Sequence, residues 1–362
     1  MHDGHFSPTY ADARARFLAA AAAAGARIET LRHPLRGPAG EKLATDVARI
    51  GAPDATKLLV TISATHGVEG HCGSGIQVAS FADGVLRALP ADTAAVAIHA
   101  INPHGFAWSR RVTEDNVDLN RNFADFAKPL PVNPGYAELR DAVCPREWTP
   151  ASRAASTARL DAYKRTHGPM AFQTAIQGGQ YADPEGVFFG GHAPTWSNRT
   201  LRRLFAGFVA AGARHVVAVD YHTGLGPWGH GEIINPYPLG DAAFARAIDW
   251  LGKDDVMSPF DGTSLSAPLV GTNNFGMTEA GAGAAVTGVA LEYGVRPLDE
   301  TFDALRADNW LHVHGDFASP EARAIKAEMR RAFYGDATDW KTMVVERAFD
   351  VLRRLAAGLA RS

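Results

Sequence analysis

Short apolar runs alternate with longer segments of helical periodicity along most of the chain. The apolar runs are typical of buried strands, and we assign strands to residues 28–31, 58–62, 94–101, 215–220 and 288–292. The segments between them predict helices at residues 10–24, 73–89, 136–165 and 200–212. Strands that alternate with helices form largely parallel sheets covered on both faces. The pattern therefore predicts an α/β fold, built on one mixed, mostly parallel twisted sheet flanked by helices.

The whole chain, residues 1–362, is predicted to form a single domain. A chain of this size hides roughly three quarters of its unfolded surface, which suffices for one large core. Two regions are expected to add helices to the domain, an insert at about 126–172 and a C-terminal segment at about 319–362. Ser319 followed by Pro320 is typical of a helix start, with the serine as N-cap and the proline in the first turn.

Composition excludes several classes of partner. The hydrophobic and charged fractions, 46% and 21%, are those of ordinary globular proteins, and the net charge of -3 offers no basic surface for nucleic acid. The alanine-rich run at 17–24 is too short to span a bilayer, so we expect no membrane partner. Cys72 and Cys144 are too few for a disulfide framework and fit a reducing compartment. Because no cationic segment with an apolar run behind it opens the chain, we expect a cytoplasmic protein.

A His-x-x-Glu motif stands directly after the apolar run at 58–62. His66 and Glu69 lie three positions apart at a predicted strand end, where both side chains can reach one divalent metal ion. Taken alone the motif is weak evidence. His66 caps the turn in the simpler interpretation, and Glu69 starts the next helix, where a carboxylate is favourable.

Two later segments strengthen the metal interpretation. A catalytic zinc site uses three protein ligands and keeps one position open, and His222 supplies the third ligand next to His66 and Glu69. Asp118 is placed to accept a hydrogen bond from the ring of a liganding histidine, which would fix its tautomer. Two histidines and a carboxylate also hold non-haem iron, an alternative that the α/β pattern disfavours.

Other candidate groups are interpreted as structural. His71 falls at the start of the next predicted helix and is expected to face elsewhere. His312 and His314 would share a face on a strand, but no acid stands at a suitable spacing. Ser74 lacks the flanking glycines of a nucleophile elbow.

In their order along the chain, these motifs resemble those of the zinc carboxypeptidase superfamily. The shared sequence comprises His-x-x-Glu at 66–69, Asn-Pro-x-Gly at 102–105, an arginine, Asp-x-Asn-Arg at 118–121, Asp-x-His at 220–222 and a late glutamate. More closely, the chain resembles a largely uncharacterised bacterial branch of metallopeptidase-like proteins in that superfamily. The resemblance covers residues 10–126 and 173–315 and leaves the segment between them unmatched.

The resemblance implies one zinc ion per chain, held by His66, Glu69 and His222 with Asp118 behind them. It also implies a set of catalytic and substrate-binding residues. Arg111 corresponds to the arginine that stabilises the oxyanion, and Arg110 beside it stays an alternative for that place. Asn120 and Arg121 correspond to the pair that binds a terminal carboxylate. Glu292 corresponds to the general base and acid.

These roles imply zinc-dependent hydrolysis of an amide bond in a small-molecule or short-peptide substrate with a free carboxylate. An N-acyl amino acid deacylase of the aspartoacylase type is the alternative within the superfamily. A non-catalytic binding module that keeps the fold is the alternative of another class. Whether the chain forms a homo-oligomer stays open.

Two features have no assigned counterpart in the resemblance. The carboxypeptidases carry a tyrosine on a loop over the bound substrate, and Tyr221, Tyr237 and Tyr293 all remain candidates for it. The glycine-rich stretch at 178–191 fits either a substrate lid or a tight structural loop.

Overall fold

Eight strands of one sheet run through the centre of the molecule. The computed structural model describes residues 2–87 and 89–362. Within these residues the strands are β1 (Arg27–Arg36), β2 (Lys42–Gly51), β3 (Lys57–Ile62), β4 (Thr93–His99), β5 (His215–Trp228), β6 (Gly231–Ile234), β7 (Val256–Met257) and β8 (Ala285–Gly294). Their order in the sheet is β1-β2-β4-β3-β5-β8-β6-β7.

The middle of the sheet is parallel and its margins are mixed. β4, β3, β5 and β8 run parallel to one another, β6 pairs antiparallel with β8, and β1 and β2 add antiparallel strands at the other side. Every residue of β3 and β4 is buried, as expected of strands covered on both faces. The predicted α/β fold with a mixed, mostly parallel sheet in a single domain is confirmed.

Helices cover both faces of the sheet. Within the described residues they are α1 (Tyr10–Ala23), α2 (Gly70–Ala82), α3 (Pro103–Ala107), α4 (Pro134–Val143), α5 (Pro150–His167), α6 (Pro169–Gln177), α7 (Trp196–Ala210), α8 (Ala242–Leu251), α9 (Asn273–Ala280), α10 (Leu298–His314), α11 (Pro320–Phe333) and α12 (Thr338–Ala360). One apolar core lies between the sheet and helices α1, α2, α8 and α12. The core on the opposite face is closed by α7 and α9.

Several element boundaries differ from the sequence prediction. The helix predicted at 73–89 begins earlier, at Gly70, and ends at Ala82; Ala88, inside the predicted range, lies outside the described residues. The helical stretch predicted at 136–165 is divided between α4 and α5, because Cys144 leaves the helical conformation at the end of α4. Strand β5 continues eight residues beyond the predicted end at 220, through to Trp228.

The two regions expected to be helical contain helices. The middle region holds α4, α5 and α6, which pack against α10 and α11 in a separate apolar cluster. At the C-terminal region, Ser319 caps α11 by accepting a hydrogen bond from the amide of Ala322 (3.0 Å), and Pro320 stands in the first turn as predicted. In the described part of the chain, no helix is both long and apolar enough to cross a membrane.

Candidate metal centre

The loop after β3 presents His66 and Glu69 to the same point. One turn of 3₁₀ helix starts at Gly67, and the amide of this glycine donates to the carbonyl of Arg111 (3.1 Å). A Cβ atom at position 67 would collide with the backbone of Gly105, so glycine is required for this close approach of two loops. The contact fixes the turn that separates the two candidate ligands.

Three candidate ligands converge in the structure as the sequence predicted. His66 Nδ1 lies 2.8 Å from Glu69 Oε1, and His222 Nδ1 lies 3.0 Å from Glu69 Oε2. The two Nδ1 atoms are 3.2 Å apart, and all three side chains are buried. A tetrahedral zinc site with bonds of about 2.0–2.2 Å places neighbouring ligand atoms roughly 3.3–3.6 Å apart. The observed separations are close to that value, so the three residues fit one metal ion.

The second ring nitrogen of each histidine, Nε2, also has the surroundings expected in a metal site. His222 Nε2 lies 2.6 Å from Asp220 Oδ2, and His66 Nε2 lies 3.3 Å from Asp118 Oδ1. A carboxylate at Nε2 favours the tautomer with its proton on that atom, which leaves the Nδ1 lone pair for a metal. With a metal bound, both rings would direct a lone pair, rather than a proton, at the point that they share with Glu69.

Asp220 is a site residue that the sequence analysis did not assign. Besides pairing with His222, it accepts hydrogen bonds from Thr65 Oγ1 (2.9 Å) and Asn273 Nδ2 (2.6 Å). It thereby ties the residue before His66 to the strand that carries His222. The Asp-x-His spacing contained the information, because residues two apart on a strand share a face.

Asp118 contacts both the ligand shell and the neighbouring cation. Its Oδ2 accepts a hydrogen bond from Arg111 Nε (2.9 Å), while its Oδ1 accepts one from the amide of Asn120 (2.9 Å). Burial alone would raise the pKa of Asp118, but the charges of Arg111, Arg121 and His66 outweigh it and hold the pKa well below its usual value. The carboxylate is therefore ionised and orders the residues around it.

The structure separates the two adjacent arginines. Arg111 lines the cavity at the metal ligands, and its Nη1 lies 3.4 Å from Glu69 Oε1. Arg110 is outside that cavity and pairs instead with Asp308 (3.3 Å) and Asn116 (2.8 Å). Arg111 is thus the arginine at the candidate centre, and the predicted place of Arg110 among the substrate-binding residues has no support from this geometry.

Asn120 and Arg121 lie next to each other in the wall of the same cavity. Three of the guanidinium donors of Arg121 are used by backbone carbonyls: Nε and Nη2 donate to Gln177 (3.2 and 2.6 Å), and Nη1 donates to Asn120 (2.9 Å). A guanidinium carries five N–H donors. The remaining two have no hydrogen-bond partner among the described residues, while the other three hold the group in place.

Glu292 lies beside the candidate ligands on a neighbouring strand. It is in register with His222 across the parallel pair β5 and β8, and its Oε1 accepts a hydrogen bond from the amide of Leu225 (3.1 Å). Burial, and then the nearby charge of Glu69, raise the pKa of Glu292 to about 8. A carboxylate that exchanges its proton near neutral pH suits a general base and acid.

One cavity of about 400 Å³ unites these groups. Its charged part is formed by His66, Glu69, Arg111, Arg121, His222 and Glu292. Most of the remaining wall is apolar and comes from α6, from residues 259–269 and from α10, while Lys164 of α5 and Asp299 of α10 add two more charged side chains. The helices of the middle region therefore form part of the cavity wall, which the sequence analysis had left open.

The glycine-rich stretch contributes one aromatic side chain to this wall. Phe188 lines the cavity, and the guanidinium carbons of Arg111 and Arg121 lie 5.3 and 5.9 Å from the centre of its ring. This stretch is thus a cavity wall as well as a packed loop. None of the described residues that line the cavity is a tyrosine, and Tyr221, Tyr237 and Tyr293 are all buried in the core.

The histidines interpreted as structural lie away from this centre. His71 stands in the first turn of α2 with its Nδ1 near the carbonyl of Ser7 (3.2 Å). His312 and His314 belong to the last turn of α10, so the strand considered for them was wrong. A second group that includes possible metal ligands, His2, His5 and Asp83, is partly exposed at the surface.

The buried His-Glu-His group and the sheet that carries it define an α/β protein with a candidate metal centre. The profile of the family described as "Protein of unknown function (DUF2817)" matches residues 6–347, and the chain belongs to this family. No curated protein sequence matches the chain.

Several solved structures are similar to this chain. Carboxypeptidase A from Helicoverpa armigera has 13% identity and a TM-score of 0.49, with 90% of this chain and 74% of that chain covered. Murein-tripeptide amidase MpaA from Escherichia coli O157 has 17% identity and a TM-score of 0.35, covering 80% and 89%. Succinylglutamate desuccinylase from Chromobacterium violaceum has 16% identity and a TM-score of 0.35, covering 90% and 73%. All three have a sequence identity below 25% and a TM-score below 0.5.

Proposed function

We propose that this protein is a zinc-dependent hydrolase of an amide bond in a small substrate that carries a free carboxylate. The observation that carries the proposal is the convergence of three ligand side chains, a buried glutamate and two arginines in one cavity of about 400 Å³. Pockets of a few hundred cubic ångströms are typical of small-molecule sites.

His66, Glu69 and His222 would hold the metal ion. Two imidazole nitrogens and a carboxylate oxygen form a donor set that zinc prefers, with one coordination position left open for the reaction. When bound, zinc supplies Lewis acidity, which polarises a carbonyl group and makes water more acidic. Glu69 is ionised at neutral pH because His66 and His222 lower its pKa to about 2, against the effect of burial.

Glu292 acts as the general base and then as the general acid. It accepts a proton from the attacking water as the oxygen bonds to the amide carbon. It then delivers that proton to the nitrogen as the carbon–nitrogen bond breaks, so that a carboxylic acid and an amine are formed. The hydrogen bond from the amide of Leu225 holds the carboxylate in position for both transfers.

The two arginines of the cavity bind different negative charges. Arg111 is placed beside the ligand Glu69 (3.4 Å) and stabilises the oxyanion that develops on the attacked carbonyl. Arg121, with two uncommitted donors, forms a planar fork for the free carboxylate of the substrate. Asn120 lies next to it in the wall.

A substrate panel tests the proposal. Zinc-loaded protein is incubated with N-acyl amino acids and with short peptides, each also prepared with its carboxylate converted to an amide. We expect hydrolysis of free-carboxylate substrates and at least a tenfold lower kcat/KM for the amidated forms, because a charged hydrogen bond is lost. Glu292→Gln should abolish turnover and keep its zinc.

The panel also separates the alternatives. Turnover of peptides identifies a carboxypeptidase, and turnover of N-acyl amino acids alone identifies a deacylase. Binding of these compounds without turnover in the zinc-loaded protein would support a binding module instead and contradict the proposed hydrolysis. Full activity of Glu292→Gln would remove this glutamate from the mechanism.

A further inference from the structure

Beyond the charged groups at the candidate ligands, the cavity wall is mostly apolar, with Lys164 and Asp299 as the charged side chains in that part. The ring of Phe188 contacts the two arginines of the charged part, and the ring of Phe302 lies nearly parallel to it, with 6.5 Å between centroids and 15° between planes. Phe302 belongs to α10, which also contributes Leu298 and Leu305 to the wall. An apolar surface therefore begins beside the arginines and extends along this helix.

A second apolar surface faces the cavity from α6 and from residues 259–269. Phe172 and Ile176 lie one turn apart on α6 and both line the cavity. The side chain of Gln173 donates to the carbonyl of Leu265 (2.8 Å), which joins the helix to the loop. The amide of Leu265 donates to the buried carboxylate of Glu232 (3.1 Å). The loop is thus fixed on both sides over the cavity.

Three apolar side chains of the wall are also exposed to solvent. Phe260, Leu265 and Leu298 line the cavity with 39%, 49% and 44% of their surface accessible. We call these three residues the apolar rim. Exposed apolar residues that adjoin a binding cavity mark a surface that a ligand covers. Because the rim is continuous with the cavity that holds the charged groups, its occupant is the same molecule that reaches those groups.

We infer that the substrate carries an extended apolar group, an alkyl chain or an aromatic ring, attached close to the scissile amide. This inference rests on the proposed function for the position of the amide and the carboxylate. The polar end of the molecule occupies the part with Arg111 and Arg121, and its apolar end follows the wall to the rim. Small polar substrates would leave most of the wall uncovered.

Two substrate series test this inference. In one, the acyl chain of N-acyl glycines is lengthened from acetyl to decanoyl; in the other, the linear side chain of an N-acetyl amino acid is lengthened instead. Each added methylene that is buried contributes a factor of about three to four in kcat/KM. We expect such a rise in at least one series, and the series that shows it identifies which side of the amide carries the apolar group.

Variants of the rim show where the apolar group lies. Leu265→Ser and Leu298→Ser should lower kcat/KM about tenfold for the long substrates and leave it nearly unchanged for the acetyl compounds. Leu239→Ser is the matched control, because Leu239 is 54% exposed and does not line the cavity. An equal loss for short and long substrates in the rim variants would contradict the inference.

Affinity measured without turnover separates this inference from the proposed function. Zinc-loaded Glu292→Gln is titrated with both series by calorimetry, and its Kd should fall with chain length. If turnover occurs but does not depend on chain length, the inference of an apolar group is contradicted and the proposed function stands. If the affinity depends on chain length but the unaltered protein shows no turnover, the proposed function is contradicted and the inference of an apolar group stands. If neither binding nor turnover depends on length, the inference fails.

Discussion

His222 and His66 differ in how firmly their rings are held. The carboxylate of Asp220 lies 2.6 Å from His222 Nε2 and is itself fixed by Thr65 and Asn273. The corresponding distance from His66 Nε2 to Asp118 is 3.3 Å, without good hydrogen-bond geometry. At this scale the sequence predicted every candidate ligand, but not Asp220, because the motif alone did not say which acid contacts which ring.

Replacement of Asp220 should weaken metal binding. We expect Asp220→Asn to lower the affinity for zinc about 10- to 100-fold, because the ring of His222 loses the partner that sets its tautomer. Competition with a chelating dye measures the change. Asp46→Asn is the control, since Asp46 is a buried strand aspartate that pairs with Arg14 (2.6 Å) away from the centre. Equal zinc affinities for Asp220→Asn and the unaltered protein would contradict this assignment.

Glu292 should give the metal-free protein an unusual pH dependence. Its pKa, raised from 4.5 to about 8 in the folded state, means that the folded protein binds this proton more tightly than the unfolded chain does. Its contribution to stability is therefore present below about pH 4.5 and is lost as the pH rises towards 8. In Glu292→Gln that loss is absent, so the variant should unfold at a higher temperature than the unaltered protein at pH 8 and above.

Thermal unfolding at a series of pH values, with zinc removed, measures this difference. The advantage of the variant should shrink at low pH, where Glu292 is neutral in both states. Zinc-loaded samples are the control, because a bound cation stabilises the charged carboxylate and reduces the difference. A difference in Tm that does not change with pH would contradict the raised pKa.

At the scale of elements, strands with a clear apolar run were predictable, whereas a strand with buried polar residues was not. β3 and β4 are mostly apolar, are buried throughout and were recognised, whereas β2 was missed. Its buried residues include Thr45 and Asp46, whose side chains are satisfied by the carbonyl of Ala100 and by Arg14. These tertiary partners are not visible in a local pattern. The short strands β6 and β7 gave too few residues for a pattern to form.

The 3₁₀ turn between the ligands should not tolerate a side chain at position 67. Gly67→Ala places a methyl group against the backbone of Gly105, and such overpacking costs about 1–3 kcal/mol. We expect a lower free energy of unfolding and weaker zinc binding, since His66 and Glu69 flank the displaced turn. Denaturant unfolding and a zinc titration provide the measurements.

Gly207→Ala is the matched control for this substitution. Gly207 lies in α7, and a Cβ atom there meets nothing within 4 Å. The alanine should stabilise the protein by roughly 0.4–1 kcal/mol and leave zinc binding unchanged. If Gly67→Ala binds zinc as tightly as Gly207→Ala and the unaltered protein do, the close approach of the two loops is not needed for zinc binding.

At the scale of the whole molecule, the metal centre joins parts of the chain that are distant in sequence. The loop after β3 supplies His66 and Glu69, and β5 supplies His222 some 150 residues later. The motifs predicted the three ligands, and the topology brings them together because the carboxyl ends of parallel strands meet at one edge of a sheet. The sequence did not predict the cavity wall from α5 and α6, since the packing of these helices has no local signature.

Removal of the metal should therefore destabilise the entire domain. An ion that binds only the folded state contributes about 4 kcal/mol when its free concentration is a thousand times its Kd. Addition of zinc to chelator-treated protein should raise the Tm, while His222→Ala should show almost no response. A Tm that is insensitive to zinc in the unaltered protein would contradict a metal-linked fold.

The metal content of the purified protein tests the central claim most directly. Elemental mass spectrometry should find about one zinc per chain, which is lost in both Glu69→Ala and His222→Ala. His5→Ala should keep it, because His5 belongs to the separate surface group. No bound metal after zinc is supplied, or zinc retained in both ligand variants, would contradict the metal centre and the hydrolysis proposed from it.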